Sequence, residues 1–141
     1  MILNQELLFS DAQAITADAA STNTIDLGQQ GTPYGDAAAL ALDLGRGEPL
    51  TLLFQVVEAF NTLTSLTISV QTDDNTGFSS ARTVWSHTIL LANLTVGRRL
   101  PFEIMPQELT ERYVRLYYDV NGTNPTTGKI TAGIVHAVQN N

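Results

Sequence analysis

The stretch RYVRLYYDV, Arg112 to Val120, decides the fold of this chain. Val114, Leu116, Tyr118 and Val120 share one parity, while Tyr113, Arg115, Tyr117 and Asp119 share the other. Successive side chains of a strand point to opposite faces, so a period of two gives one apolar row and one aromatic and charged row. This predicts a half-buried strand. Asn121-Gly122 follows, the dipeptide that best tolerates positive φ, and a polar run through Gly128 leads to a second β-rich stretch, Lys129 to Val138. The two are expected to be antiparallel neighbours.

Upstream, LTLLFQVVEAF (50–60) is apolar on both parities, which predicts a strand covered on both faces. TSLTISVQTDD is the cleanest alternation in the chain, with Leu66, Ile68 and Val70 inward and Ser65, Thr67, Ser69 and Gln71 outward. ARTVWSHTIL supplies another strand, and LPFEIM a further one, with Leu100, Phe102 and Ile104 on one parity and Pro101 marking an edge. TIDLG (24–28) reads as a short first strand. AAALALDLG (37–45) alternates Leu40, Leu42 and Leu44 with Ala39, Ala41 and Asp43 between glycines, too short for a stable helix despite its helix formers. It is read as a strand. About eight strands and no long helical pattern predict an all-β, single-domain β-sandwich. A jelly roll is the expected topology and an immunoglobulin-like Greek key the alternative.

Residues 1–23 hold one apolar cluster, Leu7, Leu8 and Phe9, followed by a small, Ala-rich run. They are read as an N-terminal extended arm ahead of a β-sandwich domain spanning 24–141, the alternative being that the cluster completes the domain's own core. The first residues carry Glu6 and Asp11 around a short apolar patch, without the basic and long apolar regions of a signal peptide or the length of a membrane span. A chain of 141 residues can bury its own core. It has no cysteine, which excludes disulfides, thiolate metal sites and a cysteine nucleophile. Seven basic against fourteen acidic residues give a net charge of −7, which opposes a polyphosphate partner, so no nucleic-acid binding is expected.

No motif predicts chemistry. Asp73 and Asn75 have the spacing of calcium ligands, but the fifth position is Gly77 and the sixth Phe78, so a hairpin turn is expected instead. His87 and His136 are the only histidines, too few for a cupin-type metal site, and no Gly-x-Ser-x-Gly elbow presents a nucleophile. The expectation is therefore no enzyme, no catalytic residues, no metal and no cofactor. Trp85 is expected to be a core anchor. Tyr113, Arg115 and Tyr117 are of the types enriched in interface hot spots, and with Leu7, Leu8 and Phe9 they are the interface candidates.

LLFSDAQAIT with STNTIDLG, then GEPLTLLFQVVEAF, then RYVRLYYDVNG with TTGKITAGIV together resemble the jelly-roll cement, or decoration, proteins of tailed phages, typified by short-tailed Bordetella phages. The resemblance runs collinearly over nearly the whole chain. It implies a non-enzymatic virion protein, made in the bacterial cytoplasm, on the outer surface of an icosahedral capsid. It implies two partners, the phage major capsid protein and a second copy of itself, with a dimer favoured, and no membrane. The competing reading is a head-fibre, carbohydrate- or receptor-binding β-sandwich, which requires an aromatic platform beside carboxylates and amides in a groove. A degenerate cupin-like enzyme is a third.

Overall fold

A computed structural model describes residues 3–40, 44, 48–100, 104–107 and 109–138. Among them are eight strands: β1 (Leu8–Ala14), β2 (Ala19–Ala20), β3 (Ile25–Asp26), β4 (Thr51–Glu58), β5 (Leu63–Asp73), β6 (Arg82–Leu90), β7 (Tyr113–Gly122) and β8 (Lys129–Val135). They form two antiparallel sheets. The smaller runs β1-β8-β4; the larger runs β2-β7-β5-β6, with β3 also pairing to β7. Past β4 the smaller sheet continues as isolated bridges, Gln55 to Arg99 and Thr51 to Ile104. The first strand therefore lies beside the last, and the two form different sheets from their chain neighbours, which is the jelly-roll order and not the immunoglobulin one.

Alternation places the core between the sheets. Leu66, Ile68 and Val70 of β5 face it with no exposure, as do Val114, Leu116 and Tyr118 of β7. From the smaller sheet come Leu52, Phe54 and Val56 of β4 and Ile130, Ala132 and Ile134 of β8. Leu53, on the other parity of β4, is also buried, whereas Val57 is exposed, so the outer cover over β4 is partial. The segment after β6 closes one side of the sandwich by inserting Leu94, Leu100, Met105 and Leu109.

Residues 3–23 are not an arm. β1 is an edge strand of the smaller sheet, and Phe9 and Ile15 are fully buried in the core. The pairing of β1 with β8 shifts register between Leu8 and Ser10 and again before Gln13, and Ala12 takes a positive φ of 45°. Such bulges let Phe9 and its neighbour Ser10 both turn inward. Ser10 then joins the two sheets: its hydroxyl lies 2.8 Å from the Tyr118 hydroxyl and donates to Gln13 Oε1, while Gln13 Nε2 donates to the Ala20 carbonyl. Burial pushes the Tyr118 phenol far above its ordinary range, so it stays neutral and keeps this bond.

Three other expectations are corrected. The strands β7 and β8 are not antiparallel neighbours: β7 pairs with β2, β3 and β5 in the larger sheet, while β8 lies between β1 and β4 in the smaller, so the polar run between them crosses from one sheet to the other. Within 37–45, residues 41–43 and 45 lie outside the described residues, and Ala37–Leu40 form no strand, with Leu40 exposed. In LPFEIM, Pro101, Phe102 and Glu103 also lie outside the described residues. Leu100 faces the core as expected, but Ile104 is exposed and Met105 is buried in its place. Isolated bridges do not hold the strict alternation of a ladder.

Candidate functional site: the outer face of the larger sheet

The row Tyr113, Arg115, Tyr117 and Asp119 lies on the outward face of β7, where pairing with β5 sets it beside Asp73, Gln71, Ser69 and Thr67 in turn. β6 extends the face with Ser86 opposite Ser69 and Thr88 opposite Thr67. Short hydroxyl side chains line it on β5 and β6. Ser65 and Ser69 are buried between larger neighbours, and the hydroxyls of Thr67 and Thr88 lie 2.9 Å apart, with Asn121 Nδ2 donating to Thr67 Oγ1 at 3.0 Å. These bonds tie β7, β5 and β6 together across the face.

Arg115 is held rigidly. Its guanidinium lies 4.0 Å from the centre of the Phe78 ring and 5.6 Å from that of Tyr117, and Nε donates to Gln71 Oε1 at 2.9 Å. Burial lowers its pKa from the ordinary value, the nearby Tyr117 and Asp73 acting the other way. Arg112 lies 5.0 Å from the Tyr113 ring centre and makes a two-pronged ion pair with Asp26, at 2.7 and 2.8 Å. That hydrogen bond, with the Gly28 amide, holds the Asp26 carboxyl down to about 2. Side chains already ordered lose less entropy when a partner covers them, which favours a contact built here.

Phe78 reaches Arg115 from the β5–β6 loop, and sequence reasoning did not single it out. The loop is shaped by Asp73, whose carboxylate accepts the amides of Asn75 and Ser80 at 2.8 Å and the Ser80 hydroxyl at 3.2 Å. Phe78 itself takes a positive φ of 49° and is buried. Burial pushes the Asp73 carboxyl up, but the Asn75, Ser80 and Asp74 amides and the Ser80 hydroxyl outweigh it, and the net pKa is lowered. The sign follows from linkage: a carboxylate with depressed folded pKa stabilises the fold above its unfolded value near 4 and loses that contribution as pH falls through the folded value. Acid titration should therefore lower the melting temperature only below about pH 4. Asp73→Asn, which turns an acceptor oxygen into a donor, should lower the melting temperature at pH 7 and flatten that acid limb. An unchanged limb would mean that Asp73 does not staple the loop.

The other interface candidates fall elsewhere. Leu7 closes a 3-10 turn (Gln5–Leu7), Leu8 opens β1, both are half-buried, and Phe9 is inside the core. Trp85 is half-buried on the inner side of β6, its ring stacked on His87 at 6.0 Å, so it anchors an edge of the core and not its centre. His136 is exposed just past β8. A groove of about 400 Å³ near β1 is lined by Gln5, Glu6, Asp11, Thr22 and Asn23, but its aromatic residue, Phe9, has no exposed surface on which a sugar could stack. Tyr34 is fully exposed at a turn closed by the Asp36 amide on the Pro33 carbonyl, where Gly35 supplies the positive φ.

In comparison with known families, residues 9–138 match the model of the Bbp16 family. No curated protein matches the chain.

Proposed function

Since the chain belongs to the Bbp16 family, a Bordetella phage protein family, and is thus a phage protein, we propose that it binds the exterior of an assembled phage capsid and stabilises it without chemistry. Family membership over 9–138 is the observation that carries this reading, and the ordered Tyr113, Arg115 and Tyr117 face is the surface assigned to the shell. Tyr and Arg anchors are the residue types from which interfaces draw much of their energy.

A protein that binds the assembled shell but not its separated subunits shifts the equilibrium towards the shell, by an amount set by its affinity and concentration. A copy or pair of copies touching two capsomers gains further, because the second contact forms at high effective concentration. The major capsid protein is then the partner, and the net charge of −7 suits a place outside the shell, away from packaged DNA. Tyr117→Ala should weaken shell binding by about 2 kcal/mol, roughly thirtyfold, without changing the melting temperature of the isolated protein by more than about 2 °C. Binding measured by co-sedimentation with shells that lack the protein checks this. Native affinity in Tyr117→Ala would move the contact off this face.

A further inference from the structure

Each sheet of a sandwich has two edges, and an edge with unpaired N–H and C=O groups invites another strand. Three of the four edges here are blunted. β1 carries two register shifts and the positive φ of Ala12. β4 is covered by the segment beyond β6: the Gly97 amide donates to the Val56 carbonyl, the Val56 amide to the Arg98 carbonyl and the Met105 amide to the Leu50 carbonyl. The far side of β7 is closed in pieces by β2 and β3, by Ser21 bonded to both main-chain groups of Leu116, and by Asp18 on the Val120 amide.

β6 is different. It is a nine-residue strand whose one irregularity, at Val84, lies near its start, and it contains no proline. Among the described residues, no main-chain group of Thr83–Ile89 bonds to anything but β5. Past Arg82 and the Val84 bulge at its start, the usual protections are missing: from Thr83 to Val96 there is no Asp, Glu, Lys or Arg, and Leu90 is 59% exposed. In a chain of net charge −7, two copies repel wherever acidic surfaces meet. The β6 edge is where they meet without like charges.

We propose that β6 pairs with β6 of a second copy, antiparallel about a two-fold axis, so that two four-strand runs β2-β7-β5-β6 become one continuous sheet. A two-fold axis perpendicular to the sheet makes such a pairing antiparallel by geometry, and closes it at two copies because the edge is consumed. The outer faces then lie side by side, with Ser86 and Thr88 at the seam and a Tyr113, Arg115 and Tyr117 row on either flank. The Tyr/Arg row is accordingly not the self-association surface, and it stays free for another partner.

The test uses the purified full chain without any shell, so its outcome is separate from that of the capsid reading. Light scattering should show a dimer for the native chain. Ser86 is exposed on the outer face, so a charge there leaves the fold intact and places like charges across the axis. S86K alone and S86E alone should each weaken association at least tenfold, with unchanged far-ultraviolet circular dichroism, and an equimolar mixture of the two should dimerise again. Because the chain has no cysteine, S86C and T88C also report the pairing directly, through an intermolecular disulfide formed faster than in the exposed control T123C. A monomeric native chain, S86K that dimerises like native, or cross-linking no faster than the control would each overturn the proposal.

Discussion

Phe9→Ala is expected to destabilise the protein by about 3–5 kcal/mol, the range for emptying a fully buried aromatic site. Phe9 has no exposed surface and belongs to the one core shared by both sheets. Its carbonyl also accepts the Asn23 amide at 3.0 Å and the Thr22 hydroxyl at 3.3 Å, so the main chain around it is fixed from two sides and cannot readily collapse into the space. Against a total stability of about 5–15 kcal/mol, a loss of this size leaves a measurable unfolded fraction in mild denaturant. Removing residues 1–10 goes further. It deletes Phe9, takes Ser10 from the buried Tyr118 hydroxyl and uncovers the edge of β8, so the truncated chain should not fold cooperatively. Urea titration followed by circular dichroism checks both; a Phe9→Ala unfolding free energy within about 1 kcal/mol of native would restore the arm reading.

Gly128→Ala should cost about 3 kcal/mol or more, adding overpacking to backbone strain. Gly128 turns the chain into β8 with φ of +135°, a conformation that side chains rarely adopt, and an added methyl would overlap the Phe60 ring. Phe60 cannot step aside, because it is buried against the core and its amide is held by the Leu94 carbonyl. The Gly128 carbonyl meanwhile accepts the Ile15 amide at 3.1 Å, tying the turn to β1. Gly31→Ala is the matched control. Nothing lies within 4 Å of the methyl there, and the change should stay within about 0.5 kcal/mol. Equal melting temperatures for the two variants would show that the turn is not packed as described.

The strands that sequence reasoning placed well are those whose ladders run without interruption. β7 and the middle of β5 pair residue by residue, so their burial follows the period of two and both faces were legible. β1 was not, because its bulges turn adjacent Phe9 and Ser10 inward and break the alternation that identifies a strand. Residues 37–40 misled in the opposite sense: Leu-Ala alternation imitates a strand, but these residues form none and leave Leu40 exposed. Of the candidate site, the Tyr113, Arg115 and Tyr117 row was legible as one face of one strand. The Phe78 contact on Arg115 depends on a loop shaped by Asp73 and a positive φ at a non-glycine residue, neither of which leaves a period in the sequence. Nor does the open edge of β6, since which strand ends a sheet is settled by pairing across the whole chain.

The reading of this chain as a capsid-stabilising protein meets its most direct test in shells prepared without it. The purified protein is added back to saturation, binding is scored by co-sedimentation, and the temperature at which DNA is released is compared with and without it. Saturable binding to assembled shells, none to dissociated capsid subunits, and a higher release temperature that tracks occupancy are the expected results. Saturating protein that neither sediments with the shells nor raises that temperature would contradict that reading.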